Sequence, residues 1–311
     1  ASHKSSADRP RVTDASHETD GNMEAGPSDA ALHTAAQADD AEKVRQLLAG
    51  GASCASVTAQ LDTPLHLAAL QACVHAAREL LSASPVELVN ARNAAGWAPL
   101  HCALLGTDIN PQARHALVEL LLSCRADPTL SAGGGWTPLA LATSRADAAC
   151  VGCLLEALIQ TAHIESINAT TSEGDTPLLL ASHAGDAASV RLLLSAGARA
   201  DATNGAGVSA VAALANGACA ADASDAASAR FDATLALLID AGAPVASSGM
   251  SALRVLAAAP AHVPANRLAR LCARAQRAGG IGAATLRDAA AAAEACARPI
   301  LAAQLRAPPA P

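Results

Sequence analysis

Asp62-Thr63-Pro64-Leu65-His66-Leu67-Ala68-Ala69 is echoed by Trp136-Thr137-Pro138-Leu139-Ala140-Leu141-Ala142 and again by Asp175-Thr176-Pro177-Leu178-Leu179-Leu180-Ala181. In each copy a hydroxyl residue and a proline precede an apolar run. The threonine hydroxyl can accept a hydrogen bond from the first free amides of a helix, and proline at the first helical position wastes no donor. Each copy therefore starts a helix. Weaker copies keep the phase: the leucine column reads Leu32, Leu65, Leu100, Leu139, Leu178, Val211, Leu253 and Leu286, with steps of 33, 35, 39, 39, 33, 42 and 33 residues.

A second helix follows in most copies. Val44-Leu47-Leu48, Ala77-Leu80-Leu81, Leu117-Leu120-Leu121, Val190-Leu193-Leu194 and Leu235-Leu238-Ile239 all place apolar residues at i, i+3 and i+4, one face of a helix. Glycines then end the helix at Gly50-Gly51, Gly197 and Gly242, while Gly96, Gly135, Gly174 and Gly207 stand just ahead of the next copy, where a tight turn is required.

A period of about 33 residues carrying Thr-Pro-Leu resembles the ankyrin repeat. The resemblance implies an all-α solenoid of helix-turn-helix pairs joined by short turns, with seven or eight repeats. The expected organisation is a disordered N-terminal segment over 1–28, a repeat domain over 29–306 with repeats starting near 30, 63, 98, 137, 176, 209, 251 and 284, and a proline-rich tail over 307–311. Terminal copies are expected to be atypical because the end of a stack faces water.

Composition agrees with such a stack. Hydrophobic residues make up 51% of the 311-residue chain but aromatics only 1%, so the apolar mass is alanine and leucine, suited to closely packed short helices. The nine cysteines fall mostly in helical runs and read as buried thiols of a reducing compartment. Neither a long apolar run nor a secretory leader is visible, which places the protein inside the cell, in the cytoplasm first and the nucleus second. Residues 251–311 hold eight arginines against Asp288 and Glu294, a net +6, whereas the preceding 250 residues carry −13, giving the overall −7. An acidic body argues against nucleic acid, whose phosphates need a cationic surface. No membrane contact is expected, and the chain reads as a monomer.

Five copies depart from the pattern, the seventh, Met250-Ser251-Ala252-Leu253, and the eighth, Ala284-Thr285-Leu286-Arg287, being the weakest. The third, Ala98-Pro99-Leu100-His101, lacks a capping hydroxyl and carries extra residues around Gly106–Pro111. In the fourth, Leu155–Gln160 extends the second helix. In the sixth, the alanine-aspartate stretch from Ala218 to Ala229 reads as a mobile loop separating two helices.

If the ankyrin resemblance extends to geometry, the residue before each Thr-Pro-Leu lies near the tip of a projecting turn, and the residues after the Ala-Ala step line the concave face. Ankyrin-like proteins grip partners with these two rows. The resemblance thus implies partner-binding residues Asp62, Trp97, Trp136 and Asp175 on the turns, with Gln71, Leu105, Ser144, Arg145 and His183 on the concave face. Both tryptophans of the chain occupy the same position in consecutive copies, and aromatic residues dominate binding hot spots. Arg267, Arg270, Arg274 and Arg277 form one stripe of a helix that could dock an anionic partner.

Chemistry is hard to find. Cys150-Val151-Gly152-Cys153 has metal or redox spacing but sits in an apolar helical run without a second ligand pair, so it reads as core filling. His33, His66 and His101 recur at one place in the motif, which implies a structural role around the turn. No phosphate loop, His-Glu-x-x-His helix or nucleophile elbow is present. We therefore expect no enzyme, no cofactor and no metal, but a protein-binding scaffold. The alternative is a ubiquitin-ligase substrate adaptor, since Leu268-Ala269-Arg270-Leu271-Cys272 resembles part of a SOCS-box helix, although Gln276 departs from that pattern.

Overall fold

The computed structural model describes residues 27–106, 110–220 and 225–244. Within them lie twelve α-helices: α1 (Pro27–Gln37), α2 (Ala41–Ala49), α3 (Pro64–Leu70), α4 (Val74–Ala83), α5 (Pro99–Leu105), α6 (Pro111–Ser123), α7 (Pro138–Ser144), α8 (Ala148–Gln160), α9 (Pro177–Ala184), α10 (Ala187–Ser195), α11 (Ala210–Ala220) and α12 (Asp225–Asp240). They form six consecutive pairs. The copies at Leu253 and Leu286 lie outside the described residues, as do the arginine stripe and the Leu268–Cys272 segment.

The threonines cap as their position requires. Oγ1 of Thr63, Thr137 and Thr176 accepts from the amides of His66, Ala140 and Leu179, each followed by a proline that opens α3, α7 or α9. Ala98 has no such atom, and at α5 only the reciprocal half survives: the Ala98 amide donates to Nδ1 of His101 at 3.2 Å.

First helices pack on first helices, α1 to α3 to α5 to α7 to α9 to α11, and second helices on second helices, α2 to α4 to α6 to α8 to α10 to α12. The result is a two-layered single file. The in-phase column Leu32, Leu65, Leu100, Leu139, Leu178 and Val211 runs through it, each at most 2% exposed. Removing one such leucine side chain costs about 2–5 kcal/mol, because transfer and cavity penalties add. α3, α5 and α7 have 7 residues each, whereas α6 and α8 have 13.

Helix α1 runs from Pro27, two residues ahead of the expected start of the repeat domain. One expectation is corrected. The stretch from Ala218 to Ala229 is largely helical, since α11 runs to Ala220 and α12 starts at Asp225. Alanine has the highest helix propensity, and the stretch holds no glycine or proline to stop a helix. The longer second helix expected in the fourth copy is present as α8.

Second helices have caps of their own, which the motif does not show. Asp40, Asn110, Asp147 and Asp186 accept from the amides of Lys43, Gln112, Cys150 and Ala188. Cys73 supplies no side-chain cap to α4. Asp39 of the preceding copy does so instead, accepting from the Ala76 amide on Oδ1 at 2.9 Å.

Candidate functional site

Five turns share one geometry. The segments 58–62, 93–97, 132–136, 171–175 and 204–208 each close with the first amide donating to the last carbonyl, as in Asn93 to Trp97 at 3.0 Å and Thr171 to Asp175 at 3.0 Å. Adjacent turns are stitched through the backbone: Ala94 N–H to Gln60 O at 2.8 Å, Ser172 N–H to Gly134 O at 2.8 Å, and Gly205 N–H to Glu173 O at 2.9 Å. Between the second and third turns Arg92 reaches the Ser131 carbonyl at 2.7 Å. The turns thus form one continuous ridge.

Asp62, Trp97, Trp136 and Asp175 are the closing residues of these turns. The apex is formed by the two residues ahead of the penultimate position, such as Ala94-Ala95 and Ser172-Glu173. Asp62 and Asp175 do not reach outward: their Oδ1 atoms accept from Nδ2 of Asn93 and Asn204 of the following turn at 2.7 and 2.8 Å. Trp97 and Trp136 are half-buried against the core, and Trp97 meets His101 edge-on at 5.5 Å between ring centroids.

The second row lies at the C-terminal ends of the first helices. Gln71 and His183 are exposed, whereas Leu105, Ser144 and Arg145 are half-buried. Arg145 turns back into the protein, donating to the carbonyls of Leu105 at 3.1 Å and Gly106 at 2.7 Å. Those carbonyls end α5, and Arg114 also reaches Gly106 while pairing with Asp147 at 3.0 Å. Asp62, Arg145 and Asp175, expected as partner contacts, therefore hold the ridge and the copy-to-copy seam in place.

The motif histidines do more than brace their own turn. Nε2 of His66 and His101 faces the carbonyls of Trp97 and Leu130 in the next copy, both at 3.0 Å, and Nε2 of His33 faces Ser56 O at 3.2 Å. The Thr63 and Ala98 amides donate to Nδ1 of His66 and His101. Nδ1 is then the acceptor and Nε2 the donor, so both rings are neutral. Burial lowers both pKa values, that of His101 to about 4.

Cys150 and Cys153 part company. Cys150 is fully buried, as expected of core filling, but Cys153 is half-buried and faces α6. Its Sγ lies 3.6 Å from Nδ1 of His115 and 4.0 Å from Oε1 of Glu119. Its pKa is raised, first by burial and then by the carboxylates of Glu119, Glu156 and Asp147. These three donors could hold a metal ion. Sequence reasoning missed them because His115 and Glu119 come from one copy and Cys153 from the next, with no contiguous motif.

A family model described as ankyrin repeats matches residues 32–110 and 109–204. The chain belongs to the ankyrin-repeat family. A crystal structure of the human ASB11 ankyrin repeat domain is similar in fold, with a TM-score of 0.60 at 24% identity, covering 78% of this chain and 96% of that one. No curated protein sequence matches the chain. Among the described residues, no helix is long and apolar enough to cross a membrane.

Proposed function

We propose that the chain is a non-enzymatic scaffold that binds a partner protein along the turn ridge and the concave row of first helices, as a monomer in the cytoplasm or nucleus. The observation that carries this reading is the stitched ridge. Backbone bonds between three of the four neighbouring turn pairs, and Arg92 between the second and third, fix the side chains in register before a partner arrives, which lowers the ordering cost of association. We assign direct contact to Gln71, Trp97, Leu105, Trp136, Ser144 and His183. Asp62, Arg145 and Asp175 also order that surface, through Oδ1 of each aspartate and the guanidinium of Arg145. The acidic balance of residues 1–250 disfavours nucleic acid as the ligand.

Capture from native extract tests the reading. Trp97→Ala with Trp136→Ala should release partners that the unaltered chain retains, with far-UV circular dichroism unchanged. Because both rings also pack on the core, Gln71→Glu with His183→Glu serves as a second variant at exposed positions. Partners retained by both variants, but lost on Gln112→Ala of the second-helix row, would overturn the assignment. The adaptor reading rests on Leu268-Ala269-Arg270-Leu271-Cys272 alone, and co-purification of elongin is its test.

A further inference from the structure

We propose that His115, Glu119 and Cys153 form a zinc site on the second-helix face, bridging α6 and α8. One nitrogen of His115, a carboxylate oxygen of Glu119 and Sγ of Cys153 all lie within 4.8 Å of one another. His115 and Glu119 are spaced i, i+4, so they project from the same face of α6, the spacing with which a single helix offers two ligands to one ion. Cys153 comes from the facing surface of α8, and Glu119 and Cys153 line a groove of about 550 Å³ together with Glu156.

The spacing suits a small cation. Zinc bond lengths of about 2.0–2.3 Å in tetrahedral geometry set ligand-to-ligand edges of roughly 3.3–3.6 Å. With Nδ1 of His115 as the ring ligand, the sulfur-to-nitrogen edge is already 3.6 Å. Oε1 of Glu119 lies 4.0 Å from the sulfur but 3.4 Å from the other ring nitrogen, Nε2, so its exposed side chain must rotate towards Nδ1 to complete the set. Water fills the fourth position from the groove, with Glu156 beside it.

The donor set selects the metal. Sulfur and imidazole nitrogen favour zinc and its neighbours over magnesium or calcium, which take oxygen alone. On binding, the Cys153 thiol gives its proton to solvent. The dication is then matched by one thiolate and one carboxylate, leaving a neutral unit at a place where carboxylates otherwise gather. Because α6 and α8 belong to consecutive copies, the ion clips the third repeat to the fourth.

The test is titration of the reduced full-length chain with cobalt(II), followed by zinc. One equivalent of cobalt should produce a thiolate-to-metal charge-transfer band, displaced by zinc, and zinc should raise the melting temperature. Cys153→Ser should abolish the band and the thermal shift. His115→Gln and Glu119→Gln should each weaken binding by at least the roughly 10–100-fold that even outer-shell partners command. All three positions are half-exposed or exposed, and unchanged circular dichroism certifies each variant. Absence of a band in the unaltered chain, a band that survives Cys153→Ser, or binding indifferent to His115→Gln and Glu119→Gln would overturn the site. The last outcome would leave only a thiol reacting alone.

Discussion

Asp62 accepts on Oδ1 a hydrogen bond from Nδ2 of Asn93 at 2.7 Å, joining the closing residue of one turn to the opening residue of the next. The same pair recurs as Asp175 and Asn204 at 2.8 Å. Where tryptophan closes the turn instead, at Trp97 and Trp136, the following turn opens with Ala132 or Thr171. The side-chain link between adjacent turns therefore appears where aspartate closes one turn and asparagine opens the next.

Asn93 should matter more than Asp62. Its Oδ1 also accepts from the amides of Ala95 and Trp97, so Asn93→Ala frees two backbone donors as well as Asp62. We expect a loss of about 2 kcal/mol for Asn93→Ala and about 1 kcal/mol for Asp62→Ala, measured by urea denaturation. The double variant should fall short of the sum, because the pair is in contact.

Leu61 holds φ +59° at the place where the other four turns have glycine, and its side chain is 47% exposed. A left-handed residue bearing a Cβ costs roughly 1–2 kcal/mol, partly offset by the greater freedom that glycine loses on folding. Leu61→Gly should therefore stabilise the chain by about 0.5–1 kcal/mol. A lower melting temperature would contradict this account of the turn.

Two helical glycines should respond with opposite sign. A Cβ on Gly217 would collide with the carbonyl oxygen of His183, where α11 lies against α9. Gly217→Ala should cost about 1–3 kcal/mol through overpacking. On Gly152 in α8 the nearest atom to a Cβ is Leu192 Cδ1 at 4.0 Å, an ordinary contact. Gly152→Ala should stabilise by about 1 kcal/mol, the helix-propensity difference. Denaturant midpoints of the two variants settle both.

Stability should fall on mild acidification. The pKa of His101 is lowered from 6.5 to about 4 in the folded chain, so between those values the unfolded chain binds the proton that the folded one refuses. The contribution is intact above pH 6.5 and lost progressively towards pH 4. Its full size is roughly 3 kcal/mol, from the free energy of each pKa unit. His66 acts in the same direction. Urea midpoints at pH 7.5 and pH 5 should differ, and His101→Gln should flatten the difference.

Reading the helix starts needed only neighbouring residues, which is why Thr63, Thr137 and Thr176 were legible as caps. Asp40, Asp147 and Asp186 were legible in principle, as polar residues one position ahead of the second apolar run, but they stand outside the Thr-Pro-Leu frame. Asp39 capping α4 from the preceding copy was not legible, because the amide it serves is 37 residues away. For the surface rows the limit was direction. Sequence phase put Asp62, Trp97, Trp136 and Asp175 on the turns, but whether each side chain faced outward or towards the next turn depended on its neighbour. At 218–220 and 225–229 the helix propensity of alanine outweighs the absence of a motif, so these residues continue α11 and open α12.

By itself the chain's repetition determined the class of fold: local caps, prolines and i, i+3, i+4 leucines specify helix pairs, and identical pairs can bury their apolar faces only against one another. Tertiary structure alone decided which polar groups remain free. Stacking sets the distance between corresponding atoms of successive copies, and at that distance Asp62 meets Asn93, Arg145 meets the end of α5, and Cys153 meets His115 and Glu119. Those encounters join residues about 30 to 40 positions apart, beyond the reach of any local pattern.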